Sequence, residues 1–321
     1  MKIYYFFLKI LRQLYFIVRP DAKPSLRNWK MFSDKEYAND LIYNALLNDE
    51  PCMVARFGST EMLNLVNYIG VKHKNRFKNY KTYIQGKTPP WWWEQSTIDQ
   101  LNLWSGFFPA QKNKVEEFCE LFLSDIKQVD ILGSWLMDEQ YFNMELRSVK
   151  KVVLEDLEPF FASNPWTKAL KGKKVLIVHP FVETIERQYQ KRELLFENEL
   201  LPEFELKTLK AVQSIAGSKT QFSDWFEALD FMKQQIDSID YDICIVGAGA
   251  YGFSLAAHVK RKGKKAIHLA GATQLLFGII GKRWEEFVVW PYSNLFNEHW
   301  VRPGETERPQ GANKVEGACY W

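Results

Sequence analysis

The chain has 321 residues and a formal net charge of +3, with 46% apolar and 25% charged residues. That is enough apolar chain for a large α/β domain with a sizeable core, and too little positive charge to call for nucleic acid as a partner. Cys52, Cys119, Cys244 and Cys319 are widely spaced with no CxxC pair, which argues against zinc and for a reduced, cytoplasmic compartment.

Residues 1–19 read MKIYYFFLKILRQLYFIVR. They lack the unbroken apolar core and small-residue cleavage site of a secretory signal, and Lys9 and Arg12 interrupt the ~20 apolar residues that a spanning helix needs. On a helical wheel Lys2, Lys9, Arg12, Gln13 and Arg19 fall within about one third of the circumference. This is the pattern of an interfacial helix with its cations toward anionic headgroups, so the chain is expected on the inner face of the cell membrane. Packing of the helix on the domain itself is the alternative. Two prolines mark residues 20–32 as a linker, which makes 1–32 a membrane-associating segment, 33–290 the catalytic domain and 291–321 a docked C-terminal tail.

Ser33 with Glu36 predicts a capping-box helix over 34–48. PCMVARFG reads as a buried strand, and STEMLNLVNYIG as a helix capped by Ser59 or Thr60. TPPWWWEQ offers a sugar platform or lid, or plain packing, ahead of a helix over 94–107 and another at KNKVEEFCELFLSDI. VDILGSWL is a strand, DEQYFNMEL a helix, and KKVVLEDLEPF a strand running into a loop. The second half alternates clearly: KKVLIVHP, FELKTLK, YDICIVGAG and KKAIHLAG as strands, TIERQYQKRELLFENE, SDWFEALDFMKQQIDSI and YGFSLAAHVKRKG as helices, and TQLLFGIIGKRWEE as a last long helix. The pattern predicts a Rossmann-like α/β fold: a mostly parallel sheet of about seven strands with helices on both faces. Ligands of such sheets bind outside the carboxyl ends of the strands.

Gly247, Gly249 and Gly252 form a GxGxxG turn around Tyr251, after a strand and before a helix. Glycines there let the backbone approach a pyrophosphate at a helix N-terminus. The next strand carries no acid for a ribose, so a phosphate-facing turn, a structural turn and a nicotinamide or flavin site stay open. Arg56 ends an apolar strand, where a bidentate anion contact would justify its charge. Gly58 permits the turn and Glu61 sits in the first helical turn, so an Arg56–Glu61 pair without function is the alternative.

The segment RFGSTE resembles the RFGDGE segment of the GT-D glycosyltransferases of bacterial surface-polysaccharide synthesis, and VGAGAYGFSLAAHVKRKGKKAIHLAG resembles that family's late Gly-turn, helix and strand. The ending GACYW is similar to proteins of capsule and O-antigen gene clusters. The resemblance implies transfer of a sugar from a nucleotide-sugar donor to a hydroxyl of a lipid-linked glycan. In that family an Asp and a Glu form a DxE motif serving the diphosphate with a divalent metal. Here Ser59 replaces the Asp, which leaves Glu61 as the implied ligand of Mn2+ or Mg2+ and makes weakly metal-dependent transfer the expectation. Arg56, Gly58, Ser59 and the Gly247–Gly252 turn would hold the donor.

His179, Glu183 and Arg187 follow a strand; Glu183 and Arg187 share a helix face, and His179 suits a phosphate or a proton. A surface ion pair with a strand-end histidine is the alternative. Asp138 or Glu139 would deprotonate the acceptor, with N-capping as the alternative; Asp156 and Glu158 are weaker candidates of that kind. A nicotinamide-dependent oxidoreductase, from GxGxxG alone, and a non-catalytic scaffold of a polysaccharide assembly complex are the competing functions.

Overall fold

Short, wholly apolar runs become strands where both faces of a sheet are covered. The computed structural model describes residues 2–286, 291–309, 311–315 and 317–321. Its strands are β1 Cys52–Arg56, β2 Ile131–Ser134, β3 Lys150–Val153, β4 Lys174–His179, β5 Glu205–Lys210, β6 Ile243–Val246 and β7 Lys265–His268. They form one sheet of order β3-β2-β1-β7-β6-β4-β5 in which every neighbouring pair is parallel. The expected Rossmann-like α/β class and seven strands are therefore borne out.

The helices are α1 Lys2–Val18, α2 Lys35–Leu47, α3 Ser59–Lys72, α4 Lys74–Phe77, α5 Tyr80–Ile84, α6 Gln95–Gln100, α7 Lys112–Ile126, α8 Val182–Tyr189, α9 Arg192–Leu195, α10 Trp225–Ser238, α11 Gly252–Arg261 and α12 Lys282–Glu285. Alternation along the strands divides the core in two. Met53, Ala55, Leu176, Val178, Cys244 and Val246 pack under α3, α7, α10 and α11, where Leu65, Phe118, Leu229 and Leu255 meet them. Val54, Ile177 and Ile245 point the other way, to Ile42 of α2, Ile185 of α8, Trp166 and Phe277. From β1 the chain moves outward through β2 and β3; β7 later returns to the opposite side of β1. This reversal opens a crevice over the carboxyl ends of β1, β7, β6 and β4.

Several local expectations are corrected. Asp34, not Ser33, caps α2 by accepting from the Tyr37 amide at 3.0 Å, because the Ser33 hydroxyl is taken by Asp156 at 2.6 Å. Gly58 holds the N-cap position of α3, so neither Ser59 nor Thr60 caps it. DEQYFNMEL forms only a 3-10 helix, Met137–Phe142. The helix expected over 94–107 ends at Gln100 and widens into a π-type turn over Leu101–Ser105. The last long helix is broken. Ala270–Phe277 is 3-10, Gly278 takes a left-handed φ of 61°, and Ile280 donates to Val301 instead of continuing a helix. The linker is pinned: Arg27 bridges Leu136 and the Asn28 amide donates to the Trp135 carbonyl at 2.7 Å.

The N-terminal helix lies on the domain with its polar arc inward. Lys9 pairs with Glu94, the Arg12 guanidinium covers the Tyr83 ring at 4.8 Å, Tyr5 stacks on Trp92 at 4.2 Å, and Leu8 is buried. Two of the cations expected to face headgroups thus face protein. Trp91 and Trp92 of the tryptophan run are buried in this joint with Tyr83 and serve packing. No helix among the described residues is long and apolar enough to cross a membrane.

The tail is held by Glu307. This buried carboxylate accepts from the amides of Glu183, Thr184 and Gly304 and from the Thr184 hydroxyl. It thereby satisfies the free amides at the start of α8 with a residue more than 120 positions away. Glu307→Ala is expected to lower stability in urea unfolding by about 1–3 kcal/mol, the cost of orphaning buried donors, with Glu307→Gln losing less.

Candidate active site

A strand that ends in arginine brings a charge to the rim of an apolar sheet. Arg56 closes β1, and its mostly buried guanidinium lies over the Trp135 ring at 5.1 Å. Trp135 is fixed in turn by donating its indole N–H to the Phe57 carbonyl at 2.9 Å. Among the described residues the Arg56 side chain has no hydrogen bond and no ion pair of contact length. Burial draws its pKa down, opposed by the more distant charges of Tyr320 and Glu61; a guanidinium stays cationic regardless. Glu61 folds back over Gly58, where a Cβ would collide with its carboxylate, and it accepts from the Thr60 hydroxyl at 2.9 Å. Thr60 also meets Ser105.

The second turn stands opposite. Gly247 follows β6 so closely packed that a Cβ would meet the Ala270 carbonyl, the His179 ring and Thr273. Gly249 takes a φ of 52° and is exposed. Gly252 leaves room for the His268 ring. Tyr251 is an anchor: its ring stacks on Trp225 at 5.2 Å and its hydroxyl meets Ser214 at 2.9 Å. All three glycines are thus required by packing, since a Cβ on Gly249 would meet the Ser105 carbonyl, and Gly249 is the one of the three that is exposed.

Between the turns lies a cavity of about 510 Å³. Arg56, Gly58, Ser59, Glu61, His179, Gly247, Gly249 and Tyr251 all line it. Its aromatic walls include Trp104, Trp135, Trp284, Tyr320 and Trp321, so the tail closes one side. The carboxylates that line it are Glu61, Glu155 and Glu158. Glu155 is paired with Arg27. Burial pushes Glu158 up to about 8, although the Tyr292 hydroxyl donates to it at 2.7 Å. Burial also lowers His179 to about 3, and His268 to about 3 with the nearby Arg56 adding to the effect. Both imidazoles are therefore neutral at pH 7. The Phe181 amide donates to Nδ1 of His179 at 3.0 Å, which places the ring proton on Nε2.

Other singled-out residues lie outside the cavity. Glu139 spends its carboxylate on the turn after β2, accepting from Ser134 and from the Trp135 and Leu136 amides. Asp138 sits near Arg12, its pKa raised by burial. Asp156 is committed to Ser33 and the Asp34 amide. Glu183 pairs with Lys210, and Arg187 donates to Thr184 at 2.9 Å beside the Glu307 cap. Gly252 lies under His268, behind the lining. Conversely, Arg27, Trp104 and the closing Tyr320 and Trp321 line the cavity without a strand-end signature. Only the aromatic ending GACYW pointed to two of them, Tyr320 and Trp321.

Among the described residues, no group of three or more His, Cys, Asp or Glu side chains is arranged to hold a metal ion. Glu61 is the one carboxylate at the first turn, Glu155 is committed to Arg27, and Glu158 accepts from the Tyr292 hydroxyl. This set does not fit a resident divalent cation, which takes hard, ionised oxygen ligands.

Compared with protein-family models, curated proteins and solved structures, the chain matches none of them.

Proposed function

We propose that the protein is a glycosyltransferase that moves a sugar from a nucleotide-sugar donor to a hydroxyl of a lipid-linked glycan at the inner membrane surface. The observation that carries this reading is Arg56, a mostly buried guanidinium with no hydrogen-bond or ion-pair partner among the described residues, at the edge of a large aromatic cavity. A desolvated cation is costly unless an anion completes it, and a diphosphate offers the bidentate oxygens that guanidinium geometry favours. The exposed Gly249 lines the same space. Aromatic walls suit a base and a sugar ring.

The carboxylates suggest the proton's route. Glu158 is the group whose pKa lies close to working pH, as a general base requires. The acceptor oxygen attacks the anomeric carbon, its proton passes to Glu158 in its ionised form, which grows as pH rises toward about 8, and the bond to the departing nucleoside diphosphate breaks with its electron pair leaving on oxygen. Arg56 offsets the charge that develops there. Glu61 orients donor hydroxyls. Asp138 and Glu139 are not used, since neither lines the cavity.

A thermal-shift panel of nucleotide sugars tests the donor class, because a ligand stabilises by RT ln(1 + [L]/Kd). Arg56→Met is expected to keep or raise the melting temperature of the free protein, since it removes a desolvated charge. It should weaken nucleotide-sugar binding by about 2–5 kcal/mol. Stabilisation by NAD(P) with no response to any nucleotide sugar would overturn the donor class, and a collapsed melting temperature would make Arg56 structural.

Transfer is expected to persist in EDTA, because the site offers a cation at Arg56 where a metal-dependent site needs a second carboxylate. Complete loss in chelator, restored by Mn2+ or Mg2+, is the contrary result.

The pH behaviour follows from Glu158. Its folded pKa lies above the ordinary carboxyl value of 4.5, so the folded chain holds the proton more tightly than the unfolded one. The contribution of Glu158 to stability is then full below about pH 4.5 and is lost as pH rises through about 8. Glu158→Gln mimics the protonated group. It is expected to flatten that slope by one proton in urea unfolding across the window, and to abolish a rise of kcat/KM toward pH 8.

A further inference from the structure

An amphipathic helix that turns its charges toward protein must turn its apolar side elsewhere. In α1 the inward arc holds Tyr5, Leu8, Lys9 and Arg12. The outward arc holds Ile3, Phe6, Phe7, Leu14, Ile17 and Val18, all exposed, with Ile17 and Val18 at 75% and 76%. At ~100° per residue these positions cover about 120° of the wheel, with no charged side chain among them. A coiled-coil seam uses a narrower stripe.

The neighbouring surface is basic. Residues 72–87 contain Lys72, Lys74, Arg76, Lys78, Lys81 and Lys87 and no acidic residue. All six are exposed. Lys72 pairs with Glu120, whereas the other five form no ion pair with a described residue. This segment forms α4 and α5, and α5 is the element α1 packs on. The joint reaches the surface where the exposed rings of Tyr4 and Tyr80 meet edge to face at 5.8 Å.

We propose that the outward face of α1 and the basic segment 72–87 form one docking surface for an anionic lipid bilayer, the helix inserting its apolar arc and the lysines meeting the headgroups. The chemistry fits both parts: apolar area is buried at the acyl boundary, and nearby cations are drawn to a negative surface. A second copy of the chain fits less well, since pairing through α1 would bring two basic segments together with no acid between them. The same surface has a reach into the cavity. The chain leaving α1 packs Phe16 and Pro24 near Gly86, then forms the bridge from Arg27 to Leu136 and delivers Leu26 and Arg27 to the cavity wall. A lipid-linked acceptor would thus enter beside its own anchor; that clause rests on the glycosyl-transfer reading, while the docking surface does not.

Vesicle flotation of the full chain tests the surface without nucleotide or acceptor, so it fails or holds separately from the donor assignment. Phosphatidylcholine vesicles with phosphatidylglycerol are expected to bind the protein, and pure phosphatidylcholine vesicles far less, with binding weakened by salt. The double variant Phe7→Asp, Leu14→Asp should lose binding at an unchanged melting temperature. The triple variant Lys74→Gln, Lys78→Gln, Lys81→Gln should weaken binding to the anionic vesicles on the order of a hundredfold. Equal binding by wild type and both variants would overturn the proposal. So would a lipid-free dimer that the double variant converts to monomer while wild type ignores vesicles.

Discussion

A buried positive charge at the end of a central strand governs the electrostatics of the crevice. Arg56 cannot give up its proton, and one face of its mostly buried guanidinium is covered by Trp135. Three buried titratable groups of the crevice are shifted by the loss of solvent. His179 and His268 are held neutral, His268 partly by Arg56 itself. Glu158 keeps its proton well above the usual carboxyl range despite the attraction of Arg56. The crevice is therefore poised to receive negative charge. That state is expensive for a free protein and useful for one that binds anions.

Much of the frame was legible because parallel strands buried on both faces write themselves as apolar runs. VARFG, KVLIVH and ICIVGAG could hardly be anything else, and the rule that ligands gather at strand ends led to Arg56, His179 and Gly247 from spacing alone. The failures share a cause: a polar residue announces that it needs a partner without naming it. Asp138 and Glu139 follow a strand as a catalytic acid would, yet Glu139 satisfies the amides of its own turn. Glu183 and Arg187 share a helix face as expected, but the anion at that helix start is Glu307, which local pattern cannot supply.

The orientation of α1 illustrates the same limit in reverse. Helical periodicity located the polar arc at Lys9 and Arg12 correctly and says nothing about which arc faces the domain. Glu94, Tyr83 and Trp92 decide that, and they lie some 70 or more residues away in a segment whose three tryptophans looked like a sugar platform. Lys9 and Arg12 are used as mortar against the domain, and the exposed cations beside α1 are those on α4 and α5.

The position of β7 has a consequence for synthesis of the chain. β1 pairs only with β2 and β7, and Val54 meets Ile267 across the second of these joints. The half-sheet β1–β2–β3 and the half-sheet β4–β5–β6 share no strand pairing until β7 is made. A growing polypeptide leaves the ribosome at roughly 5–20 residues per second, so Arg56 waits on the order of ten seconds for the strand that completes its surroundings. During that interval one edge of β1, rich in apolar side chains, has no partner, which is the kind of exposed edge that invites wrong pairing. Segments made after both half-sheets, β7 and the Glu307 cap, are those that seal them, and a ribosome stalled short of β7 would release a chain with two unsealed half-sheets.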